Sequence, residues 1–306
     1  MKTTHCKKLC LAGLLLTGLL LCTGNALALE EPVAVVISKE IRPFLEMVQG
    51  FEQALDMPVV RIFLDKDNNL FSHDLNYKGQ SLDKYACVVA VGPEALSCLA
   101  ARPCTTTILY AMVLNPRKIV PQKESICGVS LNLFSGEAVT GISKVFPEVK
   151  KIGVFFNPDN NLVWFNTAMV LGKFSGIDIV PLHVRTYSDI SSFFKKKSID
   201  VDALLFIPDK TVSSPVLIKY VIKQAVAQKI PVIGYNRFFH KSGAALSFVL
   251  DYQGIGRQAA ENVKAVMNNQ KCRFTRPAHG MVLNKKVVDL LGIKIGTAFP
   301  DRLEVN

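Results

Sequence analysis

Apolar runs alternate with amphipathic segments along most of the chain. Val33 to Ser38 reads as a strand, Ile41 to Leu55 as a helix, Val59 to Leu64 and Cys87 to Gly92 as strands, Pro93 to Ala100 as a helix and Thr106 to Ala111 as a strand. After Gly128 the cycle restarts with a helix from Ser135 to Phe146, a strand from Ile152 to Phe156, a helix from Leu162 to Phe174, a strand from Ile177 to Leu182 and a helix from Ser188 to Lys197. The run Ala203 to Ile207 then stops at Pro208-Asp209. A helical segment follows to Lys229, and a second run, Ile230 to Gly234, stops at Tyr235-Asn236. A strand from Ala244 to Leu250 and a helix ending at Met267 extend the pattern. Strands alternating with helices imply right-handed βαβ units around parallel sheets.

Polar residues fall where these buried strands end. In an open parallel sheet, ligands sit outside the carboxyl ends of the strands, where loops and helix starts converge. The pattern therefore describes a binding cleft.

The first residues change the picture. Lys2, Lys7 and Lys8 precede an apolar stretch from Leu9 to Cys22, and Ala26-Leu27-Ala28 has the small-x-small form of a cleavage site. The expectation is a signal peptide over residues 1–28, a mature chain starting at Leu29, and a periplasmic location. Leu21 before Cys22 does not suit a lipid-modified cysteine. Elsewhere no apolar segment approaches the ~20 residues of a membrane helix. Losing three lysines takes the formal charge from +11 to +8. The remaining lysines are scattered and read as a solvated exterior; the densest group, Lys195 to Lys197, sits at a helix end, where cations complement the dipole. Nucleic acid is not expected as a partner.

Five cysteines follow the leader: Cys87, Cys98, Cys104, Cys127 and Cys272. An odd number in an oxidising compartment leaves a thiol unpaired. Cys87 reads as a core residue. Cys98 and Cys104 bracket a helix end and a turn, so a local disulfide is open to them. Cysteine and histidine spacing suggests no metal site, and no cofactor is expected.

Gly254-Ile-Gly256-Arg-Gln-Ala259 has the form GxGxxA after a strand, but the acidic residue expected about 20 positions on is missing, with Arg276 in that region. We read it as a helix capped at or near Asp251, with glycines for close packing. The chain has no GxSxG, HExxH or P-loop sequence. An enzyme is the weaker reading.

The order of these segments resembles the solute-binding proteins of ABC transporters, in the broad family that includes tryptophan- and tyrosine-binding members. The residues that carry the resemblance include Val88-Val-Ala-Val-Gly-Pro-Glu-Ala95, Phe146-Pro-Glu-Val-Lys-Lys-Ile-Gly-Val-Phe-Phe-Asn-Pro158, Phe206-Ile-Pro-Asp-Lys-Thr-Val212 and Ile255-Gly-Arg-Gln-Ala-Ala260. Two departures stand out. The segment around Pro208-Asp209 is one residue shorter than in the aromatic amino-acid binders, and Asn115-Pro116 stands where the family often has aspartate-proline.

The resemblance implies an α/β fold of two Rossmann-like lobes with parallel sheets, joined by a three-crossing hinge, the type I periplasmic-binding-protein fold. It gives residues 29–128 and about 246–271 to the N-terminal lobe, and 129–245 and about 272–306 to the C-terminal lobe. It implies a monomer that captures an amino acid or similar small polar metabolite between the lobes and delivers it to an ABC permease; the alternative is a ligand-sensing subunit of a membrane receptor. The candidate ligand contacts are Ser38, Gly92, Pro93, Glu94, Asn115, Asn157, Asp209, Asn236 and Asp251. In this reading the helix starting at Pro93 receives a carboxylate, and Asp209 and Asp251 receive an amine. Several of these residues are equally suited to turns and caps.

Overall fold

The computed structural model describes residues 31–73, 81–121, 126–132, 135–195, 199–297 and 303–306. The expected signal peptide, and Lys196 and Lys197 of the lysine group, lie outside them. Among the described residues, no helix is long and apolar enough to cross a membrane.

Two sheets carry the fold. The first contains β1 (Val33–Ile37), β2 (Val59–Leu64), β3 (Leu70–Phe71), β4 (Val88–Val91), β5 (Ile108–Val113) and β6 (Cys127–Ser130), in the order β3-β2-β1-β4-β5-β6. Its strands are parallel except β3, which runs against β2. Its connections hold α1 (Arg42–Ala54), α2 (Pro93–Ala100) and the short α3 (Pro116–Ile119). The chain then passes through α4 (Ser135–Val145), β7 (Lys151–Phe156), α5 (Pro158–Phe174), β8 (Asp178–His183), α6 (Tyr187–Lys195), β9 (Ala203–Phe206), α7 (Pro215–Ala227), β10 (Val232–Gly234), α8 (Arg237–Lys241) and β11 (Leu246–Leu250). After α9 (Tyr252–Met267) come β12 (His279–Leu283), α10 (Lys285–Leu291) and β13 (Leu303–Val305). The second sheet has the order β13-β12-β11-β10-β9-β7-β8, with β12 antiparallel to β11. Each sheet is a mostly parallel α/β unit, and together they form the type I periplasmic-binding fold.

The uninterrupted apolar runs follow from burial on both faces of each sheet. In β1, Val33, Val35 and Ile37 point into a core shared with Phe44, Met47 and Phe51 of α1, while Ala34 and Val36 point into another with Leu96 and Leu99 of α2. In β9, Ala203 and Leu205 face one core of the second lobe, and Leu204 and Phe206 face the other. Helix α1 needs apolar groups on one stripe, and Phe44, Met47, Val48 and Phe51 supply it at helical spacing.

The sequence reading of the returning segment needs correction. It assigns Leu246 to Lys271 to the first lobe, but β11 pairs with β10 and β12 in the second sheet. The segment therefore starts at α9, whose Ile255, Ala259, Ala260 and Val263 join the α1 core. It also runs further than expected: Thr275 bridges to Val129, its N–H donates to the Gly128 carbonyl at 2.9 Å, and its own carbonyl accepts from Ser130 at 3.2 Å. Strands of the two sheets are equally apolar, so the pattern of the sequence does not reveal which sheet a strand joins. The chain passes between lobes after β6, after β11 and between Thr275 and β12.

The GxGxxA segment is a packing device. Asp251 caps α9, accepting from Gly254 N–H at 2.8 Å. A Cβ on Gly256 would overlap the Met47 carbonyl, and one on Gly50 that of Gln253, so α1 and α9 touch backbone to backbone. A disulfide joins Cys127 to Cys272, whose Cα atoms are 6.0 Å apart. Cys98 and Cys104, the pair open to a local bridge, remain separate thiols: each contacts a backbone carbonyl, of Asn68 and Thr106 respectively, instead of the other sulfur. Cys87 is buried, and burial pushes its thiol up to about 12.

Candidate functional site in the cleft between the lobes

The polar residues at the strand ends are engaged mostly with each other. Ser38, buried at the end of β1, accepts from Ala95 N–H at 2.8 Å and so caps α2 from another strand. Gly92, the residue before α2, has φ 96°, and a side chain there would collide with Ser38 and the Phe44 ring. Pro93 opens the helix. Glu94 follows, with Lys39 Nζ 2.6 Å from its Oε1. Burial opposes ionisation of Glu94, but Lys39, its own N–H and Ser38 outweigh it and hold the carboxyl below its usual range. The helix start expected to receive a ligand carboxylate is thus already served by Ser38 and Glu94.

On the second lobe, Asp209 is 4% exposed. Its carboxylate accepts from Asn157 N–H at 2.9 Å, Thr211 N–H at 2.9 Å and Asn161 Nδ2 at 2.7 Å. It fastens the loop after β9 to the loop after β7. Asn157 in turn caps α5 by accepting from Asp159 N–H at 3.0 Å. The backbone leaves helical geometry at Asn161, whose amide also reaches the Pro208 carbonyl at 3.3 Å, and the regular helix resumes at Leu162. Asn236 caps α8 through Phe238 N–H at 2.9 Å. Asp251, besides capping α9, lies 3.3 Å from Arg257 Nη2.

Two adjoining cavities lie between the lobes and share Leu114 and Pro208 as walls. The larger, about 300 Å³, is lined by Leu114, Asn115 and Lys118 after β5, by Asn132 and Ser135 where the chain passes between lobes, and by Asn160, Asn161, Val163, Trp164 and Thr167 of α5 with Ile207 and Pro208. The smaller, about 200 Å³, is lined by Leu131, Tyr235, Asn236, Phe248, Leu250, Tyr252 and His279 besides the shared pair. An outer groove of about 640 Å³ continues past Asn236 and Tyr252 to Arg42, Glu46, Arg237, Asp251 and Glu304. Burial, with Asp209 nearby, raises the Tyr235 phenol above its usual range.

Of the nine nominated residues, Asn115 and Asn236 line the cavities and Asp251 lines the outer groove. Ser38, Gly92, Pro93, Glu94, Asn157 and Asp209 line none of these three spaces. Asn115 is held at φ 52° by a reciprocal pair with Asn132: its N–H donates to Asn132 Oδ1 at 2.9 Å, and Asn132 Nδ2 donates to its Oδ1 at 3.0 Å. Lys118 Nζ spans the cleft to the Asn160 carbonyl at 3.4 Å. Sequence reasoning missed Leu114, Lys118, Trp164, Tyr235 and Tyr252. Trp164 is the one tryptophan of the chain, an uncommon residue near a helix start, and is the signal that was there to use. Among the described residues, no group of His, Cys, Asp or Glu side chains could hold a metal ion.

A family profile described as ABC transporter substrate binding protein matches residues 81–301. The chain belongs to that family. Solved structures repeat the architecture of this substrate-binding family. The ligand-free, open form of a substrate binding protein with adhesive properties from Clostridium difficile matches with a TM-score of 0.71 at 15% identity, over 90% of this chain and 99% of that one. A conserved domain protein from Vibrio cholerae matches with a TM-score of 0.58 at 22% identity, over 90% and 99%. An ABC domain from Streptococcus pneumonia in complex with L-Trp matches with a TM-score of 0.58 at 19% identity, over 90% and 100%. At these identities the likeness is one of fold. No curated protein matches the sequence.

Proposed function

We propose that this substrate-binding protein is exported, captures a small organic metabolite of amino-acid size between its lobes, and presents the closed form to an ABC permease. The observation that carries the reading is the composition of the cavity walls. Leu114, Asn115 and Lys118 come from the first lobe, and Trp164 and Pro208 from the second. A solute between them contacts both lobes fully only when they approach, so its binding energy favours closure. The cavity size is at the lower end of small-molecule sites. With its leader removed the protein starts at Leu29, works in the periplasm as a monomer and turns nothing over.

The test is a solute screen by melting temperature, followed by solution scattering with each hit. A bound solute raises the melting temperature by mass action and makes the protein more compact, and it is recovered unchanged. A hit recovered as a different compound would replace capture by catalysis, and stabilisation without compaction would place the solute outside the cleft.

A further inference from the structure

We infer that the solute is an anion with a flat apolar body and no ammonium group; the inference rests on the interlobe cavities being the solute site. Among the described residues, no aspartate or glutamate lines either cavity. The acids that might have met an amine are engaged elsewhere: Asp209 with three donors of its own lobe, Glu94 with Lys39, and Asp251 in the outer groove with Gly254 N–H and Arg257.

The charge that does line the larger cavity is positive. Lys118 projects from the first-lobe wall, and its ammonium donates to the Asn160 carbonyl at 3.4 Å; no carboxylate among the described residues lies within ion-pair distance of it. A carboxylate held there would turn that weak contact into a charge-assisted hydrogen bond. Asn115 Nδ2, which donates to nothing among the described residues, is a second donor on the same wall. A ligand ammonium would meet Lys118 as a like charge, with no acid to offset its loss of water. The neighbouring cavity explains the other end of the ligand. Phe248, Tyr235, Tyr252 and His279 line it, and aromatic walls favour a planar apolar group. The site thus has a cationic, amide-lined end and an aromatic end, divided by Leu114 and Pro208.

Three compounds with one aromatic body separate the charge states: hydrocinnamate (anion), L-phenylalanine (zwitterion) and phenethylamine (cation). Each is titrated into the purified exported protein by calorimetry and by the fluorescence of Trp164. Hydrocinnamate should bind at least about tenfold more tightly than L-phenylalanine, and phenethylamine should give no heat. Lys118→Met should weaken hydrocinnamate about tenfold or more while leaving the melting temperature of the free protein unchanged. L-phenylalanine binding as tightly as hydrocinnamate, or a Lys118→Met variant with undiminished affinity for it, would overturn the inference. If none of the three binds at millimolar concentration while another solute compacts the protein, the ligand class is overturned and solute capture stands. If no solute compacts it, both readings fall.

Discussion

The two walls of the cleft use their polar residues in opposite ways. On the second-lobe wall, Asp209 is buried and accepts from Asn157, Thr211 and Asn161, so its charge serves to hold two loops together. On the first-lobe wall, Leu114 is 40% exposed, Asn115 is locked in a left-handed conformation by Asn132, and Lys118 lines the cavity with no ion-pair partner among the described residues. A polar group at a strand end is taken first by the orphan N–H groups of nearby loops and helix starts. A ligand receives what local structure leaves over. One wall thus spends its acid on local structure, and the other leaves a lysine and an amide lining the cavity.

The largest expected effect tests the second-lobe wall. Asp209→Ala leaves two backbone N–H groups and an amide without their charged acceptor, and each such bond is worth roughly 1.5–3 kcal/mol. With partial relaxation the loss should be about 3–5 kcal/mol in denaturant unfolding, with solute affinity of the folded protein little changed. Native stability combined with lost binding would make Asp209 a recognition residue and erase the contrast between the walls.

The next effect concerns the strand that leads into the first-lobe wall. Tyr110 of β5 is buried with no hydrogen-bond partner for its hydroxyl among the described residues, and burial, partly offset by Arg117, pushes its phenol up to about 12. The folded state resists ionisation more than the unfolded chain does. The resulting stability is intact below pH ~10, where an unfolded tyrosine ionises, and is lost as pH rises through the folded value, by at most roughly 3 kcal/mol. Tyr110→Phe should unfold less readily than the native protein in that alkaline window and match it near neutrality. An equal alkaline loss in the variant would show that Tyr110 is not the titrating group.

A smaller effect is expected at Asn115. Alanine at its φ of 52° keeps the N–H bond to Asn132 but gives up the side-chain oxygen that accepts from Asn132 Nδ2, and it retains the backbone cost of a left-handed residue, so Asn115→Ala should lose about 1–2 kcal/mol, whereas glycine should recover the conformational part. If alanine and glycine are equally destabilising, the amide pair and not the backbone sets the loop. The smallest effect on folding is expected at Lys118: Lys118→Met should change unfolding stability by less than about 0.5 kcal/mol. A larger loss would mean that this lysine, like Asp209, is used for structure.

Much of the framework was legible because burial on both faces leaves a continuous apolar run. The run Ala203 to Ile207 ends one residue past β9, and the helix predicted from Leu162 to Phe174 is the regular part of α5, which starts one turn earlier at Pro158 and breaks at Asn161. Three of the nine strand-end residues, Asn115, Asn236 and Asp251, line the space between the lobes. What could not be read was allegiance. Leu246 to Leu250 has the composition of a strand in either sheet. Asp209 has the same local setting whether it caps or binds, because its acceptor role is decided by Asn157 and Asn161, about 50 positions earlier in the chain. Trp164 and Lys118 lie on helices whose periodicity gives a face but not the element across from it.

The exchange of α9 back to the first lobe has a consequence for the order of events during synthesis. Domains commonly fold as units, N-terminal first, as the chain emerges. The first lobe cannot follow that course to completion, because Ile255, Ala259, Ala260 and Val263 of α9 fill part of its core. The bond from Cys127 must also wait for Cys272, 145 positions later. By then the parallel strands of the second sheet have all appeared, while β12 and β13 have not. The first lobe lacks α9 and the second lacks β12 and β13 until late, so a chain held up anywhere between β6 and α9 yields no finished lobe.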